Sequence, residues 1–263
     1  MAIQFKMVNI DVTSNAHYAA FPDEDWIDFT KTFVGHLNRG RKIKLEPNYL
    51  TTQVEPHDTY AELFDIMKRT NVILYNFDKN MWRYISDDWF KQKPVEGEVG
   101  SSTMPHKINP IDFENSEGNL AFANAIFKFL ADELPDERLQ RHLEDSTLER
   151  NFGVPLGHSL VGYKSLLKGL EKVAVNESKV TEALNSHPEV ISEAIQTILR
   201  REGYKMPYEQ LKKLTRGKEV TMDILGTFID GLEVGDDVKA ELKKITPQNY
   251  TGIAATLVEM KFK

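Results

Sequence analysis

The sequence predicts an all-α protein, a bundle of long helices followed by a small C-terminal helical domain. Three observations carry that prediction. Apolar residues recur at intervals of three and four rather than two. The stretch from Asp58 to Trp89 keeps this spacing with no internal proline or glycine. Beyond residue 175 the pattern breaks into short segments, punctuated by His187-Pro188, Gly203, Pro207, Gly217, Gly231 and Pro247.

In chain order, the first element with a clear signature is the long one. Leu63, Ile66, Met67, Ile73, Leu74, Phe77, Met81, Ile85 and Trp89 predict one helix of roughly 45 Å at 1.5 Å per residue. A rod of that length suits helices that pack lengthwise, within one chain or across subunits. The alternative is two helices joined near Asn71 or Asn76. A second helix is expected at Asn109-Pro110, with asparagine as N-cap, proline in the first position and Asp112 at the positive end of the dipole, ending before Pro135. A third begins after Arg141 and runs to about Val173, with a kink near Gly153 and Pro155. The predicted domains are residues 1–172, part of a central bundle that includes a loop at 99–112, and residues 173–263.

Composition narrows the function classes. The 263 residues are 41% hydrophobic and 28% charged, ordinary values for a folded globular protein. A formal charge of −7 argues against a nucleic-acid-wrapping protein, which needs a dominant basic face. The local basic cluster "NRGRKIK" at 38–44 reads as a connector. The absence of cysteine excludes disulfides, zinc–thiolate sites and thiol catalysis. With no leader-like N-terminus and no long uncharged apolar run, a cytoplasmic location away from membranes is expected.

The chemistry concentrates in "GSSTMPHKINP", residues 100–110. A glycine-permitted polar loop ends on a capped helix N-terminus, where backbone N–H groups favour an anion, and Lys107 adds a full charge. The loop lacks the second glycine and the Lys-Ser/Thr pair of a phosphate-binding P-loop. A second anion site is suggested by "RHLEDSTLER": Ser146 and Arg150 are four apart and share a helix face, with Arg141 a turn earlier.

The stretch "GSSTMPHKINPIDFENSEGN" resembles the signature loop of the fumarase/aspartase superfamily. His106 within it, together with "TTQVEPHD" (51–58), "RHLEDSTLERN" (141–151), "YKSLLKGL" (163–170) and "PYEQLKKLTRGK" (207–218), makes the chain similar to the C-terminal portion of bacterial-type adenylosuccinate lyases. The implied fold is a partial long-helix bundle of the fumarase/aspartase type. The implied reaction is elimination of fumarate from adenylosuccinate, giving AMP, and from the succinylated carboxamide ribotide of purine synthesis. No organic cofactor and no metal are implied, the partners being small-molecule substrates and further copies of the chain, four in the family.

The resemblance also implies roles. Ser101 takes the general-base position with Ser102 beside it. A serine hydroxyl serves as base only where N–H donors and positive charge hold its alkoxide. Lys107 and Asn109 match positions that hold the fumaryl carboxylates, Met104 a lid contact, and Glu114 a glutamate that orients a general-acid histidine. Gln53 matches a substrate-contacting glutamine, and Arg141, Ser146 and Arg150 match groups for the nucleotide phosphate. His57 and His106 are expected to contact ligand or cap helices; His142, His158 and His187 are read as structural.

One part of the pattern is missing. The resemblance starts near "SNAHYAAFPDEDW", and no stretch of the "THGQP" type, which supplies the family's general acid, occurs in the chain. The expectation is therefore a lyase portion acting in an assembly, against the alternative of a catalytically incomplete helical assembly protein that keeps the fold.

Overall fold

A computed structural model describes residues 7–9, 15–42, 44–49, 55–93, 109–139, 143–215 and 220–260. Strand β1 (Met7–Asn9) is followed by α1 (Asn15–Ala20) and α2 (Trp26–Leu37). The Asp25 carboxylate caps α2, accepting from the amides of Ile27 and Asp28 at 3.0 Å. At its other end the basic connector closes the helix: Arg41 Nε donates to the Leu37 carbonyl at 2.8 Å, and Lys44 Nζ to that of Asn38 at 2.9 Å. Strand β2 (Glu46–Asn48) then pairs in parallel with β1, Val8 opposite Pro47.

Helix α3 (Asp58–Ser86) is a single uninterrupted element of 29 residues, with no break at Asn71 or Asn76. It stops three residues before Trp89, because Asp88 enters the left-handed region at φ 63°. Strand β3 (Phe90–Gln92) follows, then α4 (Ile111–Glu133), α5 (Asp145–Glu149) and α6 (Gly153–Glu171). Strand β4 (Val173–Val175) pairs with β3. The four short strands are the departures from an all-helical chain among the described residues.

Two sequence expectations need correction. Pro110 occupies the cap of α4 instead of its first turn; its carbonyl accepts from Phe113 and Glu114 at 3.0 and 3.1 Å, and no side chain caps the helix. The helix expected after Arg141 is two helices, broken at 150–152 rather than kinked. Short-range bonds from Asn151 to Leu148 and from Phe152 to Glu149 close α5 as a turn. Pro155 then falls in the first turn of α6, where its missing N–H costs nothing.

The bundle is built from heptad-like seams. Phe113, Ser116, Leu120, Ala123, Phe127 and Leu130 of α4 are buried at alternating spacings of three and four. On α3 the buried positions are Phe64, Asn71, Asp78 and Met81, and on α6 small residues dominate. Close approach of α6 to α4 requires glycine at two of them. A Cβ at Gly162 would lie 2.8 Å from Leu120 Cδ2, and one at Gly169 3.0 Å from Phe113 Cζ. An apolar cluster of the bundle joins Phe64 of α3 to Phe127, Leu130 and Leu134, with Leu148 and Phe152 packed against it. Further along, Asn71 donates to Ser159 Oγ at 2.9 Å and accepts from the Tyr163 hydroxyl.

The chain divides into two compact units, residues 1–86 with 92–173, and 87–91 with 174–263. In the second, α7 (Glu177–Ser186) and a 3-10 turn (Pro188–Ile191) lead to α8 (Ser192–Arg201), α9 (Pro207–Thr215), α10 (Met222–Asp230), α11 (Asp236–Lys243) and α12 (Ala254–Glu259). Its core gathers Ile191, Ile195 and Leu199 with Leu225, Ile229 and Leu242. Gly203, at φ 72°, ends α8 in the left-handed conformation that glycine adopts without strain.

Candidate functional site

The signature stretch leads into the N-terminus of α4, where the described residues begin again at Asn109. The first turn of α4 is anchored against α6. Asp112 receives Lys172 Nζ at 2.6 Å and Lys168 Nζ at 3.2 Å, and its backbone carbonyl accepts from Ser165 Oγ at 2.8 Å. Ser165 Oγ in turn accepts from Asn115 Nδ2 at 3.0 Å. Asp112 and Lys172 are each about nine-tenths buried, so this pair is screened far less than a surface pair. The clamp continues down the helix: Asn119 donates to the Asn115 carbonyl at 2.8 Å and meets His158 Nδ1 at 2.8 Å, with Phe122 edge-on to the imidazole. His158 therefore has the structural part expected of it. One turn from the start of α4, Glu114 faces α3, where its carboxylate accepts from Trp82 Nε1 at 3.0 Å. Sequence reasoning missed Asp112–Lys172 and Trp82, because their partners lie 60 and 32 residues away in the chain.

The second group sits on α5. Arg150 Nη1 donates to the Ser146 carbonyl at 2.7 Å, and Ser146 Oγ to that of Leu143 at 3.2 Å, so the two residues are neighbours as their spacing predicts. Both are exposed to solvent. Beneath them His57 is buried, in the left-handed region at φ 57°. Its ring is surrounded by Glu149 at 3.4 Å, Glu55 at 3.8 Å and Asp145 at 3.9 Å, and it stacks on Tyr60. His57 thus ties the start of α3 to α5. His187, by contrast, is a solvent-exposed partner of Glu189 at 2.9 Å.

These two groups occupy opposite ends of the helical rod. Leu148 and Phe152 pack on the cluster around Leu130 and Leu134, at the C-terminal end of α4, whereas Glu114 lies in its first turns. Sixteen residues separate Glu114 from Leu130, which at 1.5 Å per residue is roughly 24 Å along the axis. Gln53, Ser101, Ser102, Met104, His106, Lys107, Arg141 and His142 lie outside the described residues. Among the described residues no cluster of three or more His, Cys, Asp or Glu side chains could hold a metal, and no helix is long and apolar enough to cross a membrane.

Comparison with known proteins relates the chain to lyases. The family model described as "Adenylosuccinate lyase C-terminal" matches residues 137–251, and the one described as "Lyase" matches residues 22–124. The adenylosuccinate lyase of Escherichia coli (strain K12) is 51% identical over 245 residues, covering 93% of this chain and 52% of that protein. That of Dictyostelium discoideum is 50% identical over 242 residues, covering 91% and 51%. Among solved structures, the class II fumarase of Schistosoma mansoni superposes with a TM-score of 0.61 at 14% identity, over 87% of this chain and 48% of that one. The fumarate lyase:delta crystallin structure from Brucella melitensis gives 0.56 at 14% identity, over 82% and 48%. The fold is that of the fumarase/aspartase-type lyases. The chain spans about half the length of the relatives it matches.

Proposed function

We propose, from a chain whose sequence resembles the C-terminal portion of adenylosuccinate lyase, that it carries the base loop and the nucleotide-anion helix of such an enzyme. On this reading it releases fumarate from adenylosuccinate and from the succinylated carboxamide ribotide, in cytoplasmic purine nucleotide synthesis. The observation that carries the proposal is 51% identity over 245 residues to an adenylosuccinate lyase, in a chain that retains Ser101, Lys107, Asn109, Arg141, Ser146 and Arg150.

Ser101 Oγ, with Ser102 beside it, removes a proton from the carbon next to a carboxylate; Lys107 balances the charge that develops on that carboxylate, and the Asn109 amide donates a hydrogen bond that orients it. The electron pair forms the carbon–carbon double bond of fumarate as the carbon–nitrogen bond breaks. A general acid from outside these 263 residues protonates the departing nitrogen, and Glu114 orients that acid. Gln53 and Met104 enclose the substrate, and Arg141, Ser146 and Arg150 hold its phosphate.

The roughly 24 Å between Glu114 and the α5 end supports a site assembled from different copies of the chain, each giving one end of its rod. The reading includes a homo-oligomer, four copies by the family's pattern. The second reading, a helical assembly protein that keeps the fold without its own chemistry, draws on the lack of a "THGQP"-type stretch in these 263 residues.

The test is the absorbance change of adenylosuccinate with the purified chain, alone and then mixed with a separately produced N-terminal half of the E. coli enzyme. Turnover is expected only in the mixture. Turnover in neither arm rejects a working lyase portion, and turnover by the chain alone shows that it holds its own acid.

A further inference from the structure

The α3–α4 seam contains a carboxylate with no cation paired to it among the described residues. Asp78 is completely buried, and neither carboxylate oxygen has a hydrogen-bond partner among the described residues. Ser116, facing it from α4, is equally buried, and its hydroxyl is likewise without a partner. A buried ionised carboxylate in that position would be among the most costly groups a fold can hold.

The charged groups around it do not relieve the cost. From α4 the titratable group that acts on it is Glu117, a like charge, whose carboxylate is 4.0 Å from Lys79 Nζ of α3. From α6 the titratable group facing this seam is Tyr163, which bonds Asn71, seven residues and two helical turns before Asp78. Burial pushes the Asp78 carboxyl up to about 6, with Ser116 offsetting part of the rise and Glu117 adding to it.

We infer that Asp78 and Ser116 form a buried proton-binding site between α3 and α4, in which burial keeps the carboxyl group as the neutral acid at mildly acidic pH and Ser116 is the polar side chain that faces it. The position gives this site a readout. Trp82 is one turn beyond Asp78 on α3, and Glu114 is two residues before Ser116 on α4, so the site lies directly below the Trp82–Glu114 hydrogen bond. Loss of the proton places a charge beside Glu117 inside the seam and loosens the contact that holds Glu114. The inference does not depend on the lyase reading, since it concerns the seam alone.

The test is a pH titration, by NMR, of the full 263-residue chain labelled with carbon-13 at the aspartate carboxyl carbons. One resonance is expected to titrate near 6, well above the other aspartates, and to vanish in Asp78→Asn. In Ser116→Ala, which keeps the carboxyl group and serves if Asp78→Asn does not fold, that resonance moves to higher pH. A spectrum in which every aspartate titrates in the ordinary range overturns the inference, as does a high-titrating resonance that persists in Asp78→Asn.

Discussion

Asp78 and Asn71 occupy seam positions of α3 that would ordinarily hold apolar side chains, while Ile73 and Phe77, which helped define the helix in the sequence, are exposed within the chain. Periodicity establishes that a helix exists without establishing which of its stripes is covered, and α3 carries more than one. The pH consequence of Asp78 follows from linkage. Its folded pKa, about 6, is above the ordinary carboxylate value of 3.8, so the folded chain binds more protons than the unfolded chain between those values. Stability therefore falls as pH rises from about 4 to 6 and stays reduced above that. Asp78→Asn removes this dependence. Urea unfolding is expected to show the variant more stable than the parent at pH 7.5, by up to about 3 kcal/mol, with the difference shrinking towards pH 4. Equal spacing of the two curves at all pH values would contradict the assignment.

Helices are the scale at which the sequence was most readable, because α3 and α4 have unbroken periodicity and α4 a clear proline-marked start. What escaped it were features decided by partners distant in the chain. The α5–α6 break depends on turn bonds at Asn151 and Phe152, and the tightness of the α4–α6 contact depends on which glycines face a neighbour. That difference is measurable. Gly162→Val drives a side chain into Leu120, whose Cγ and Cδ2 lie within 2.9 Å of the new Cβ, and overpacking of this kind costs about 1–3 kcal/mol. Gly118 lies on the exposed side of α4 with nothing within 4 Å of its Cβ position. Gly118→Ala should instead stabilise the helix by about 0.5–1 kcal/mol. Opposite shifts of the urea midpoint, measured side by side, check that glycine serves packing at one position and nothing at the other.

For the whole molecule, the proposed reading places one group of site residues at each end of one helical rod. Residue types in "GSSTMPHKINP" and "RHLEDSTLER" suggested anion-binding chemistry, and the family resemblance implied their roles, but linear spacing could not show that Glu114 and the Ser146–Arg150 pair lie towards opposite ends of α4. If each site takes its loop from one copy and its α5 helix from another, damage at the two ends must complement. Lys107→Ala and Arg150→Ala chains, each combined with the complementary N-terminal half, are expected to lose most turnover separately. Mixed under conditions that exchange subunits, they should regain part of it, because some sites then receive an intact loop and an intact α5 from different chains. A mixture no more active than the average of its two components would mean that both ends serve one site within a single chain.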